Sequence, residues 1–152
     1  MLLDTSGLLC LHHKAEPFHN RARQFYSRAR VRVTHNYVLA EFVALATARR
    51  LPRSSSLAYI ADLRRNPDIE TVWVDESLHT EALALLFARQ DKAYSLCDAV
   101  SFILMRRRSL SDALTTDHNF EQEGFRRHEA PPRSVEVSTA RHRTSGGISP
   151  RR

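Results

Sequence analysis

The chain has little cysteine, no long apolar run and no metal-binding histidine pattern. Each absence removes a class of protein. Its 152 residues include two cysteines, Cys10 and Cys97. Two thiols do not make a disulfide framework, and so low a count fits a reducing compartment, expected to be the cytoplasm. Both lie among apolar neighbours, as buried free thiols do. Cys97 adjoins Asp98 but has no neighbouring histidine, so neither cysteine is assigned a catalytic role. No apolar run approaches the ~20 residues of a membrane-spanning helix. No charged lead precedes an apolar stretch at the N-terminus, so no secretory signal is expected. His12, His13, His35 and His118 do not show a transition-metal spacing.

What is present describes an ordinary globular chain. Hydrophobic residues make up 42%, enough for the core of one domain of this length. The formal net charge of +6 permits binding to a polyanion, but residues 130–152 hold five arginines and one glutamate and so supply +4 of it. That segment follows Pro131-Pro132, carries Gly146-Gly147 and has few aliphatics. It is expected to be a disordered basic tail, dispensable for catalysis, with an RNA-binding arm as the alternative. The folded domain is expected over residues 1–129.

Four acids stand where elements start or turn: Asp4 ending MLLD, Glu41 in NYVLAEFVAL, Asp98 in YSLCDAVSFILM and Asp117 in ALTTDHNF. An acid among apolar residues is costly to desolvate unless something positive compensates. Four from distant parts of one chain point to a shared divalent cation. Oxygen ligands suit hard cations such as Mg²⁺, which bridge to phosphate oxygens. The acids therefore indicate a metal-dependent phosphodiester enzyme. Each also has a plainer reading. Asp4 and Asp98 are good helix N-caps, Asp117 suits a turn, and Glu41 suits the polar side of an amphipathic helix.

The remaining pattern alternates strands and helices. MLLD reads as a buried strand turning through Thr5, Ser6 and Gly7 into a helix, with Gly7 relieving crowding there. After Pro17 comes an amphipathic helix with Phe18, Ala22 and Phe25 on one face. VRVTH is a strand. Asn36 is placed to cap a helix running to about Arg50, with Glu41 pointing inward. Pro52 ends that helix, and the serines at 54–56 offer caps for LAYIADLRR. Asn66-Pro67-Asp68 is a turn before the strand IETVWV. Asp75 or Ser77 opens the helix through LHTEALALLFAR, and Ser95 caps the one containing Asp98. ALTT is a final core strand. This alternation predicts an α/β fold with a mainly parallel sheet. Sites in such sheets lie beyond the carboxyl ends of strands, where Asp4 and Asp117 fall.

The ordered motifs LLDTSGLL, N-Y-x-x-x-E, S-x-x-D-A-x-S-F and TTDHNFEQEGF resemble PIN-domain ribonucleases, and within them the VapC-type toxins of toxin–antitoxin pairs. The resemblance covers residues 1–128, and TTDHNFEQEGF is its most specific piece. It implies a three-layer α/β/α fold with a mainly parallel central sheet and Mg²⁺- or Mn²⁺-dependent endoribonuclease activity. It maps the family's acidic quartet onto Asp4, Glu41, Asp98 and Asp117, with Asp4 and Asp98 as direct metal ligands. Glu41 and Asp117 then bind through water or hold a second metal. Thr115 matches a family hydroxyl that orients an acid or water, and Ser6 and Ser95 are weaker candidates for the same support. RNA is the implied substrate, a small antitoxin the implied partner and a homodimer the implied assembly. The antitoxin is expected to insert an Arg among the four acids and to lie beside the helices around Tyr37 to Leu63. Arg49, Arg50, Arg106, Arg107 and Arg108, at helix ends, are candidates to hold the RNA backbone or simply to complement the helix dipole. Two other readings are a housekeeping RNA-processing nuclease of the same chemistry and a non-catalytic RNA-binding PIN module. A haloacid-dehalogenase-type phosphotransferase also begins with a strand ending in Asp, but it needs a second Asp where Ser6 stands.

Overall fold

The computed structural model describes residues 1–128. The sheet is built from short strands: β1 (Leu2–Leu3), β2 (Arg32–His35), β3 (Ile69–Val72), β4 (Asp112–Leu114) and β5 (Arg126–Arg127). Between them run α1 (Thr5–His12), α2 (His19–Arg28), α3 (Asn36–Ala48), α4 (Arg53–Arg65), α5 (Glu76–Ala88), α6 (Leu96–Arg107) and α7 (Asn119–Gln122). The strand order is β3-β2-β1-β4-β5. Every pairing is parallel, with Leu2 opposite both Val33 and Ala113. The expected mainly parallel sheet is thus parallel throughout. No helix among the described residues is long and apolar enough to cross a membrane. The expected tail at 130–152 lies outside the described residues.

Strand alternation sorts the core into two layers. Successive side chains of a strand face opposite ways. Leu3 and Leu114 pack with Leu8, Leu9, Val38, Phe42 and Leu63, the layer formed by α1 to α4. Leu2 and Ala113 pack instead with Tyr94, Phe102, Met105 and Phe120. Beside them α5 and α6 join through Leu78, Ala82, Val100 and Ile103. The result is the expected α/β/α sandwich. Phe42, Phe102 and Phe120 are fully buried, each worth about 1.5–3 kcal/mol of transfer free energy.

Local structure departs from expectation in three places. The ring of His35, not Asn36, caps α3 by accepting from the Val38 amide at 3.4 Å. Asn36 Oδ1 instead accepts from Val74 N at 2.8 Å, tying β3 to the start of α3. The helix after Pro52 begins at Arg53, ahead of the serines, and Ser56 Oγ donates back to the Pro52 carbonyl at 3.2 Å. β5, with two arginines, had no apolar signature. It forms by pairing with β4, and Arg126 reaches Asp112 through bonds of 2.9 and 2.8 Å.

The arginines at helix ends are mostly occupied. Arg49 pairs with Glu16 at 2.7 Å, Arg107 with Glu81 and Arg108 with Glu70. Arg106 meets Glu123, a nearly buried acid that also accepts from Arg89 and from the Tyr94 hydroxyl, both at 2.7 Å. This buried acid holds together α6, the end of α5 and the segment that leads into Ser95. With Arg126, these pairs occupy six of the chain's 23 lysines and arginines.

Candidate active site

Gly7 brings the first acid into place. A Cβ on Gly7 would lie 2.0 Å from the Leu114 carbonyl oxygen, so only glycine lets the first turn of α1 pack onto β4. This is the crowding that the sequence suggested, with β4 as its source. The Asp4 amide then donates to the Leu114 carbonyl at 3.2 Å, which sets Asp4 beside Thr115. Thr115 Oγ1 donates to Asp4 Oδ2 at 2.7 Å, and Ser6 Oγ donates to the same oxygen at 3.1 Å. Ser6 Oγ also accepts from the Thr116 amide at 2.9 Å, and Thr115 Oγ1 accepts from the Asp117 amide at 3.0 Å. Thr115 is fully buried. Its hydroxyl therefore supports the acids from beneath rather than facing a substrate.

Asp98 is held differently. Ser95 and Asp98 form a reciprocal capping box at the start of α6: Ser95 N donates to Asp98 Oδ2 at 2.8 Å, and Asp98 N donates to Ser95 Oγ at 3.0 Å. The plain helix-cap reading of Asp98 is thus correct, and the same carboxylate still faces the cleft. Capping and cleft exposure coexist because each carboxylate oxygen has two lone pairs.

Glu41 points into the same cleft from α3, though as a residue it is exposed. Its Oε2 accepts from Thr5 Oγ1 at 2.5 Å. Asp117 lies on the turn after β4. Its Oδ1 accepts from the Asn119 amide at 2.9 Å and its Oδ2 from Asn119 Nδ2 at 3.2 Å.

One cleft of about 330 Å³ is lined by Asp4, Glu41, Asp98 and Asp117, with Thr5, Ser6, Ser95 and Asn119 among their neighbours. Among the described residues no lysine or arginine lines it. Among the described residues Asp4, Glu41 and Asp98 have no basic partner, and Asp117 has only His118 at 3.6 Å. Burial pushes the Asp4 carboxyl up to about 6, and the charge of Asp98 adds to this against the hydroxyl hydrogen bonds. Burial also raises Asp98, with the charges of Asp117 and Glu41 acting the same way. These are acids crowded together with no lysine or arginine among the described residues to compensate them.

Two residues at the cleft were not assigned to the site from the sequence. Cys97 places its sulfur within 4.8 Å of a carboxylate oxygen of Asp4 and of Glu41. Burial foremost, then the charges of Glu41 and Asp4, hold its thiol protonated, so it is no ready nucleophile. Its adjacency to Asp98 was the only signal available. Asn119 had a better one, since it stands two residues after Asp117, within reach of a short turn. The basic residues suggested for RNA, Arg49, Arg50 and Arg106 to Arg108, do not line this cleft.

A parallel α/β/α sandwich with an acid-lined cleft beyond its central strands is the class that this fold and site define. The chain belongs to the PIN domain family, whose model matches residues 1–125. Its relatives are of the VapC type. The 23S rRNA-specific endonuclease VapC20 of Mycobacterium tuberculosis (strain CDC 1551 / Oshkosh) is 30% identical over 95 residues, covering 62% of this chain and 71% of that protein. VapC20 of Mycobacterium tuberculosis (strain ATCC 25618 / H37Rv) matches over the same shares. The crystal structure of Mycobacterium tuberculosis VapC20, described as a sarcin–ricin loop cleaving toxin, superposes with a TM-score of 0.76 at 28% identity. That likeness covers 86% of this chain and 98% of the other.

Proposed function

We propose that this protein is a divalent-metal-dependent endoribonuclease acting as the toxin of a toxin–antitoxin pair, with its nuclease domain at residues 1–129. The observation that carries the reading is the cleft in which Asp4, Glu41, Asp98 and Asp117 meet, with no lysine or arginine among the described residues that line it. A cluster of carboxylate oxygens with raised carboxyl pKa values fits a hard divalent cation, Mg²⁺ or Mn²⁺, better than any other compensator. Asp4 and Asp98 hold the cation directly. Glu41 and Asp117 bind through water or hold a second ion. When bound, such a cation neutralises charge on the scissile phosphate and lowers the pKa of water.

The chain's own residues then have defined tasks. Thr115 and Ser6 orient Asp4 and favour its ionised form by donating to Oδ2, against the burial that favours the protonated form. The Ser95 cap turns Asp98 toward the cleft. Glu41 stands at the open rim, where an RNA strand enters. The named substrate of the relatives makes 23S rRNA, and its sarcin–ricin loop, the first RNA to examine.

The partner is a small antitoxin whose arginine compensates the four acids by charge-assisted hydrogen bonds. Its apolar residues have a groove of about 510 Å³ lined by Leu11, Tyr26, Tyr59 and Leu63. That groove lies between α1, α2 and α4, which overlaps the expected Tyr37–Leu63 stretch only at α4. A second copy is expected to cover Leu83 and Phe87, an exposed apolar strip one turn apart on α5. Expression of the wild-type chain should arrest growth, and co-expression of its antitoxin should restore it. The Asp4→Asn variant should be harmless while still binding the antitoxin. Harmless accumulation of soluble wild-type protein would favour the RNA-processing nuclease instead.

A further inference from the structure

Each of the four cleft acids is held by a donor. Asp4 has Thr115 and Ser6, Glu41 has the Thr5 hydroxyl, Asp98 has the Ser95 amide, and Asp117 has Asn119. We propose that Asn119 is a positioning residue that fixes the Asp117 carboxylate for cation binding. This inference rests on the reading that the cleft holds a divalent cation.

The geometry separates Asn119 from an ordinary turn residue. An Asp in a turn commonly accepts from the backbone amide two residues on, and the Asn119 N–H supplies that bond to Oδ1 at 2.9 Å. That bond would survive any side chain at 119. The second bond, from Nδ2 to Oδ2 at 3.2 Å, is not part of the turn. It engages the other oxygen, so the two bonds together set the plane of the carboxylate. Asp117 has a side chain 31% exposed and otherwise meets only His118. Without Nδ2 the carboxylate plane is free to turn about χ2, a broad torsion in Asp. The residue type also fits. An amide donates and adds no charge to a cleft that already holds four acids, whereas an aspartate at 119 could only accept when ionised. Asn119 itself lines the cleft, so it sits beside the acid it orients. Groups that hold metal ligands from outside commonly change metal affinity by about 10–100-fold when removed.

The test is Mn²⁺ binding by the full chain without RNA, followed by the electron paramagnetic resonance of free Mn²⁺. Asn119→Ala should raise the Mn²⁺ Kd by about 10-fold while its melting temperature in EDTA matches the wild type. An unchanged Kd overturns the inference and leaves the metal reading standing. Failure of the wild type to bind Mn²⁺ overturns both. If Asn119→Ala is itself destabilised, the wild type decides. Its assigned Asn119 side-chain amide resonances should move during a Mg²⁺ titration with the midpoint of binding. Amide resonances that stay fixed while Mg²⁺ binds overturn the inference.

Discussion

The hydroxyl of Thr115 donates to Asp4 Oδ2 at 2.7 Å, joining residues 111 positions apart. The same oxygen atom of Thr115 accepts from the Asp117 amide at 3.0 Å. One buried hydroxyl therefore sets the spacing of the first and last acids of the site. Thr115→Val keeps the shape and removes the hydroxyl. It should lower metal affinity or cleavage by about 10–100-fold and cost about 1–3 kcal/mol for the unpaired buried groups. Mn²⁺ titration and urea unfolding check the two effects separately. A variant with wild-type metal affinity would show that the hydroxyl serves the fold alone.

Asp4 makes the metal-free protein sensitive to pH. An unfolded Asp loses its proton near pH 3.8, whereas the folded Asp4 keeps it to about 6. Between those values the folded state binds more protons, so its stability falls as pH rises. Above pH 6 the contribution is fully unfavourable, by at most about 3 kcal/mol. Asp4→Asn removes this contribution. In EDTA its stability advantage over the wild type should widen from pH 4 to pH 6 and then level off. Urea unfolding at several pH values measures this. An advantage independent of pH would mean that Asp4 is not held protonated.

Gly7→Ala should be strongly destabilising. The added Cβ would meet the backbone carbonyl of Leu114 at 2.0 Å, a neighbour that cannot rotate away. Overpacking of this kind costs about 1–3 kcal/mol or more. Moving α1 off β4 would also shift Asp4 away from Thr115, so cleavage should fall with stability. Urea unfolding and a cleavage assay on the same preparation check both. Wild-type stability would show that the contact is relieved by a small backbone shift.

The legible part of this molecule was local. MLLD and ALTT carry apolar runs that end in or near an acid, and a buried strand stopping at the mouth of a cleft leaves that signature. Ser95 before LCDAV announced a cap through its own chemistry, and Gly7 announced a close approach. The sequence could not say that Leu114 was the neighbour, because the contact spans the chain. Residues Arg126 and Arg127 were illegible as a strand, since their pairing comes from β4 and from Asp112 rather than from any intrinsic preference. His35 as a cap and Asn36 as a tie to Val74 depend on how β2 and β3 meet. The arginines at helix ends looked free for RNA because their partners Glu16, Glu70, Glu81 and Glu123 lie far off in sequence. Glu41 was visible as an acid on a helix, but its position on the open rim depends on the packing of α3 against α1.

Metal-dependent cleavage of RNA by the four-acid cleft is the central claim, and one assay addresses it most directly. Purified wild-type protein, Asp4→Asn and Asp98→Asn are incubated with a 23S rRNA fragment containing the sarcin–ricin loop, in EDTA and with Mg²⁺ or Mn²⁺ restored. Only the wild type with added metal should cut the RNA, and both variants should remain folded and inactive under every condition. Cleavage by either variant at the wild-type rate, or cleavage that persists in EDTA, would contradict the account.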